Sequence, residues 1–249
     1  LLFQGVLGAS PTASGSFLTP MMLGIVFGAA ISGQILSRTG GHYRIQGILG
    51  LSIMGIGAIM LSWTTAEITH GYALTSAVIM GFGLGTSFPL YTIAIQNGVP
   101  QQYLGIATSS AQFFRSVGGS IGLAVFGSYM VRRFKDGMED NLPSEALEAV
   151  PPQLLNQITG NPNALLNPEA SDNLINTFAA SGESGIAIGT QVLGAIRGSL
   201  AGAIGDVFFL CFIFVALAVV ATAFIREVPL RGRVKSSSVN QQSSDEPDD

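Results

Sequence analysis

Arg115 stands about ten residues inside the apolar stretch Gly105 to Val131. A guanidinium placed in hydrocarbon costs from a few to more than ten kcal/mol, so it must face protein or water. Gln112, three residues earlier, and Gly119, four residues later, fall on about the same helical face. Two uses fit this grouping. The Arg115 and Gln112 side chains can wall a cavity, binding a substrate or holding an inter-helix gate, or Arg115 can reach a membrane interface and cap helix carbonyls.

Other polar residues are placed for simpler chemistry. Arg38 and Arg44 bracket one short loop, where two guanidiniums either pair with carboxylates and helix C-termini or anchor the loop to a lipid surface. Gln96 and Asn97 precede Gly98 and Pro100. They either hydrogen-bond a passing substrate or end their helix. Pro89 removes one intrahelical hydrogen bond and favours a kink. His42 and His70 have no second ligand near them in the chain, so no metal site is expected, and Glu67 and Asp206 fall near the outer membrane surface, either as solvated acids or as a proton site. Gly81-Phe-Gly-Leu-Gly-Thr86 lacks the third glycine of a dinucleotide loop and has no strand before it. H-E-x-x-H and similar intramembrane enzyme sets are absent from the sequence, and an enzyme is not expected.

The elements that position these residues follow from composition. Only Arg38, Arg44, Glu67 and Arg115 are charged between Leu1 and Val131. Water-soluble domains carry roughly a quarter of their residues as Asp, Glu, Lys or Arg, against 10% here, with 48% hydrophobic residues and 32 glycines. An all-α, polytopic membrane protein is therefore predicted. A span needs about 20 apolar residues, which gives five full spans: Phe17 to Leu36, Ile45 to Trp63, Tyr72 to Gln96, Gly105 to Val131 and Asp206 to Ile225. Leu1 to Leu7 reads as the stub of an earlier helix, and the chain as the C-terminal part of something longer. The expected organisation is a membrane bundle over residues 1–131, an extracytoplasmic loop with short amphipathic helices over 132–205, a last span over 206–226 and a disordered cytoplasmic tail over 227–249.

Arg38 and Arg44 flank one loop, and Arg226, Arg231, Arg233 and Lys235 follow the last span. The positive-inside rule places both stretches in the cytoplasm, and alternation through five spans reconciles them. The long loop carries eight acids and Pro143, Pro151, Pro152, Pro162 and Pro168. Ser144 to Val150 and Ser171 to Ala180 read as short capped helices. Ile186 to Ile204 reads as an amphipathic helix that lies on the outer surface or leads into the last span. The pairs Gly24 and Gly28, Gly81 and Gly85, Gly118 and Gly122, and Gly198 and Gly202 stand four apart, as close helix contacts in a membrane require. Cys211 reads as a small apolar filler.

The segment Gly33-Gln-Ile-Leu-Ser-Arg-Thr-Gly-Gly-His-Tyr-Arg44 resembles the cytoplasmic loop signature of the major facilitator superfamily through Gly33, Arg38, Gly40 and Arg44, with Ser37 where that pattern has Asp. Leu2-Phe-Gln-Gly-Val-Leu-Gly8, Ser14-Gly15 with Leu18, Pro20 and Gly24, Gln96-Asn-Gly-Val-Pro100, Phe113-Phe-Arg-Ser-Val-Gly-Gly-Ser-Ile-Gly122 and Arg226-Glu-Val-Pro-Leu-Arg-Gly-Arg233 resemble the fourteen-helix drug:proton antiporters of the EmrB/QacA type. That resemblance implies spans ten to fourteen of such a carrier, working by alternating access. It implies a multi-pass protein of the inner membrane with a cytoplasmic C-terminus, no cofactor and the proton gradient as energy source. The implied partners are membrane lipids, small amphipathic substrates and the missing N-terminal half of the same protein, with no nucleic acid. The carboxylates that couple protons in such carriers belong to that missing half. An exporter of a specific metabolite, siderophore or lipid, a channel, and a non-transporting scaffold or half-transporter are the alternative readings.

Overall fold

A computed structural model describes residues 11–39, 42–63, 69–142, 183–225 and 227. Five α-helices account for nearly all of them: α1 (Pro11–Thr39), α2 (Tyr43–Ser62), α3 (His70–Gly98), α4 (Leu104–Asn141) and α5 (Glu183–Ala223), with a short 3-10 turn, Gln101–Tyr103, before α4. Among the described residues there is no strand. The predicted stub Leu1 to Leu7, Gly40, Glu67, the short helices predicted at 144–150 and 171–180, and the basic tail beyond Glu227 lie outside the described residues.

Among the described residues four helices are long and apolar enough to cross a membrane, over Leu18–Arg38, Tyr43–Ser62, His70–Gly98 and Ile188–Ala223. The predicted span Gly105 to Val131 lies in α4, which is longer than any span requires but is not among those four. Ser109, Ser110, Gln112, Arg115, Ser116 and Ser120 make it more polar than its neighbours.

α3 is the central element, because α1 and α2 both pack along it. Its glycines serve two faces. On one, a Cβ on Gly81 would come within 2.5 Å of the Met21 carbonyl and one on Gly85 would collide with the Ile25 carbonyl, while Gly24 and Gly28 of α1 meet the Val78 and Phe82 carbonyls in return. On the other, Gly83 abuts Met54 and the Gly50 carbonyl, and Gly57 of α2 would meet Met80. Backbones approach this closely only where no side chain intervenes, which is how membrane helices gain packing without a hydrophobic drive. The pairs Gly24 with Gly28 and Gly81 with Gly85 therefore form one interface, as their spacing suggests. Gly118, Gly198 and Gly202 have nothing within reach of a Cβ, and Gly122 has only Phe126 of its own helix. Among the described residues those two pairs are not helix contacts.

The boundaries predicted at 131 and 206 are not helix ends. α4 runs on to Asn141, and α5 begins at Glu183, so the predicted amphipathic segment is continuous with the last span. At 1.5 Å per residue α4 and α5 are about 57 and 62 Å long, against a hydrocarbon core of about 30 Å. The physical reason is mutual burial. Phe134 and Met138 of α4 pack with Val192, Ile196, Leu200 and Ile204 of α5, together with Leu61 of α2 and Ala73 of α3, so the apolar stripe from 188 to 204 is spent on helices rather than on a lipid surface.

A smaller core at the opposite end joins Leu36, Tyr43 and Leu90. There the Arg44 backbone N–H donates to Glu227 Oε1 at 3.3 Å. The α1–α2 loop and the segment after α5 thus lie at the same end of the bundle, as an even number of crossings between them demands. Close by, Tyr91 Oη and Thr222 Oγ1 are 2.6 Å apart. Thr222 gives its single hydroxyl proton to the Ala218 carbonyl at 2.7 Å, so Tyr91 is the donor. Gly47 of α2 leaves the space for this contact, since a Cβ there would stand 2.9 Å from the Thr222 methyl.

Candidate functional site

α4 carries the guanidinium, and its surroundings decide what that charge can do. Every residue from Gln112 to Ile121 is exposed. The helix is fastened near its far end, where Asn141 Nδ2 donates to Ser199 Oγ at 3.3 Å and Arg133 Nε donates to Asp206 Oδ2 at 2.6 Å. Asp206 is accordingly not at a helix edge; it lies in the second half of α5, paired with α4. The hydrogen bond and charge of Asp206 raise the Arg133 pKa above its already high ordinary value, so that partner is always cationic.

Arg115 Nη1 donates to Gln112 Oε1 at 3.3 Å, one helical turn back. Its guanidinium carbon stands 5.1 Å from the centroid of the Phe88 ring on α3, and Phe88 immediately precedes Pro89. The structure thus brings Arg115, Gln112 and the Pro89 segment into one place. Phe113 and Phe114 lie edge to face beside them, with centroids 5.7 Å apart and both rings exposed. α3 continues through Pro89 as a single helix to Gly98. Gln96 and Asn97 sit about two turns further on, Gln96 exposed and Asn97 buried, away from the guanidinium. Of the loop signature, Gly33 has no neighbour within reach of a Cβ, Arg38 is exposed, and Arg44 is exposed beside Glu227.

Magnitudes fix the environment of Arg115. An exposed cation–π contact is worth about 0.5–1 kcal/mol, and a single amide acceptor adds about 1.5–3 kcal/mol at most. Together they supply about 2–4 kcal/mol, which at best matches the low end of the few to more than ten kcal/mol that a guanidinium facing lipid costs. The exposed face around Arg115 is therefore suited to water or polar protein, not to hydrocarbon. Among the described residues no group of His, Cys, Asp or Glu gathers as metal ligands would.

Phe88 is not legible in the sequence, because a pairing between helices leaves no local pattern. A second polar cluster was also missed. Ser32 Oγ donates to the Thr86 carbonyl at 2.9 Å, and Gln46 Nε2 donates to the Ser32 carbonyl and Oγ at 2.7 and 2.8 Å. Three polar side chains inside apolar stretches were the available signal.

Against this geometry stand the known proteins that the chain is similar to. The profile of the Major Facilitator Superfamily matches residues 1–123. "Multidrug transporter protein MdtP" of Bacillus subtilis (strain 168) is 30% identical over 237 residues, covering 92% of this chain and 42% of that protein. "Multidrug resistance protein 3" of the same organism is 31% identical over 140 residues, 56% of this chain and 27% of that protein. The "Tetracycline resistance determinant" of Streptomyces rimosus is 33% identical over 131 residues, 52% of this chain and 37% of that protein. The chain spans less than half the length of these curated relatives. With its apolar helices, its glycine-packed centre and these likenesses, the chain belongs to the major facilitator superfamily.

Proposed function

We propose that the whole protein is a secondary active transporter, a multidrug exporter that exchanges its cargo for protons by alternating access across the cytoplasmic membrane. The observation that carries this reading is the middle of α4: ten consecutive exposed residues, Gln112 to Ile121, with a guanidinium among them. A stretch of helix with no burial of its own and a charge that requires water belongs beside an aqueous cavity, completed by a part of the protein beyond these helices. Relatives named for multidrug and tetracycline resistance support an amphipathic cargo. The Phe113, Phe114 and Phe88 rings beside Arg115 and Gln112 offer such a cargo apolar area next to hydrogen-bond donors and an acceptor. The basic loop Ser37 to Arg44 supports a cytoplasmic placement of the end that holds Arg44 and Glu227.

The test is efflux of a cationic dye from cells that lack their own drug exporters and express the full-length protein, with and without a protonophore. Gradient-dependent efflux supports the reading. Normal membrane insertion with no efflux of dyes or antibiotics would favour export of a single metabolite, siderophore or lipid instead.

A further inference from the structure

The Arg115 charge has donors to spare and no opposite charge. Of the N–H donors in its guanidinium fork, one goes to Gln112, and no ion pair among the described residues includes it. α1, α2 and α3 contain no Asp or Glu. The first acid of α4, Asp136, lies about 31 Å further along at the helical rise. Of the two acids of α5, Asp206 is paired with Arg133 and Glu183 begins the helix, at the end remote from Arg115.

The helical face that Arg115 shares with Gly118, Gly119 and Gly122 is bare backbone. A Cβ on Gly118 or Gly119 would meet nothing within 4 Å, and one on Gly122 would meet only the edge of the Phe126 ring at 3.9 Å. Phe126 closes this strip, its ring edge to face with Phe214 of α5 at a centroid distance of 5.8 Å. The strip therefore has a cation at one end, a held ring at the other and about 10 Å of open helix between Arg115 and Gly122. Interior glycines weaken a helix, and no helix contact among the described residues offsets that here.

We propose that this strip binds a planar aromatic carboxylate, with its two oxygens on the Arg115 fork and its rings along Gly118, Gly119 and Gly122 toward Phe126. Arginine presents paired N–H donors at the spacing of carboxylate oxygens. Glycine lets a flat ring lie against backbone that any Cβ would hold away. Cargo that is cationic elsewhere reaches the same fork through a carboxyl or ester oxygen on its rings. The inference rests on the reading that this stretch borders an aqueous cavity, and it names the end of the cargo that these helices hold. A carboxylate side chain in the remainder of the protein has the same oxygens but no fused ring to lay on the strip.

The probes are 2-naphthoate and 2-naphthamide, which share their rings and differ in charge. Binding of radiolabelled 2-naphthoate to the full-length protein is measured in nanodiscs of zwitterionic lipid, with empty nanodiscs subtracted. Unlabelled 2-naphthoate should displace it about tenfold more effectively than 2-naphthamide, the ratio that about 1.4 kcal/mol of charge-assisted hydrogen bonding supplies. Arg115→Gln should abolish that preference. Gly119→Leu, at a position where a Cβ meets nothing, should block binding in a protein that inserts and unfolds as the parent does. Equal displacement by the two probes, or a preference that survives Arg115→Gln, overturns the inference. So does the absence of specific 2-naphthoate binding in a protein that exports dye, the result expected if a carboxylate side chain of the remainder occupies the fork. Specific binding without any efflux supports the inference and counts against the transport reading alone.

Discussion

The Arg115 guanidinium lies 5.1 Å from the centroid of the Phe88 ring, so the charged turn of α4 rests on α3 one residue before Pro89. A charge so placed registers any relative movement of the two helices. Phe88→Leu keeps the apolar volume and removes the ring's charge distribution. Transport should fall a few-fold, in line with the loss of about 0.5–1 kcal/mol, with unchanged protein in the membrane. An initial-rate dye-efflux assay normalised to membrane protein reads it.

The glycine faces of α3 divide tolerant from intolerant positions. Gly85→Val and Gly28→Val drive a side chain into the Ile25 and Phe82 carbonyls, and overpacking of this kind costs about 1–3 kcal/mol or more. Gly202→Ala meets nothing within 4 Å and also gains helix propensity. Thermal unfolding in detergent should drop markedly for the first two and stay level or rise for the third.

Tyr91 and Thr222 tie α3 to α5 through a single donated proton. Hydrogen bonds between membrane helices average about 0.6 kcal/mol, so Tyr91→Phe should cost about that much. Thr222→Val should add little on a Tyr91→Phe background. A double-mutant cycle on unfolding in mixed micelles measures the coupling.

Arg133 and Asp206 make a close pair, 2.6 Å apart, but both side chains are more than a third exposed. Pairs of that kind contribute about 0–1 kcal/mol. Asp206→Asn should leave dye efflux and its dependence on the proton gradient within about twofold of the parent. Loss of gradient dependence in this variant would make Asp206 a coupling acid.

Parts of this arrangement were legible in the chain and parts were not. Gly24, Gly28, Gly81 and Gly85 are readable because spacing by four is a property of one helix. Their equals, Gly50, Gly57 and Gly83, carry no such spacing and escaped notice. Gly198 and Gly202 have the spacing but no neighbour among the described residues, since periodicity says which residues share a face and not what stands opposite. The stripe of 186–204 fits a surface helix or a continued span equally well by pattern. Phe134 and Met138, some sixty residues away, decide for the continued helix. Arg115 and Gln112 are legible as a pair because they are three residues apart, whereas Phe88 lies on another helix. The hydrogen bonds among Ser32, Gln46 and Thr86 depend on three helices meeting, which no single stretch of sequence records.

The most direct test of the central claim is cationic-dye efflux by the full-length protein carrying Arg115→Ala and, separately, Arg115→Lys, each with its membrane insertion quantified. An Arg115 that faces an aqueous transport cavity predicts normal insertion of both variants, loss of most efflux in the alanine variant and partial retention in the lysine variant, all abolished by a protonophore. Unchanged efflux in both, or loss of the protein from the membrane in step with the loss of efflux, would contradict it.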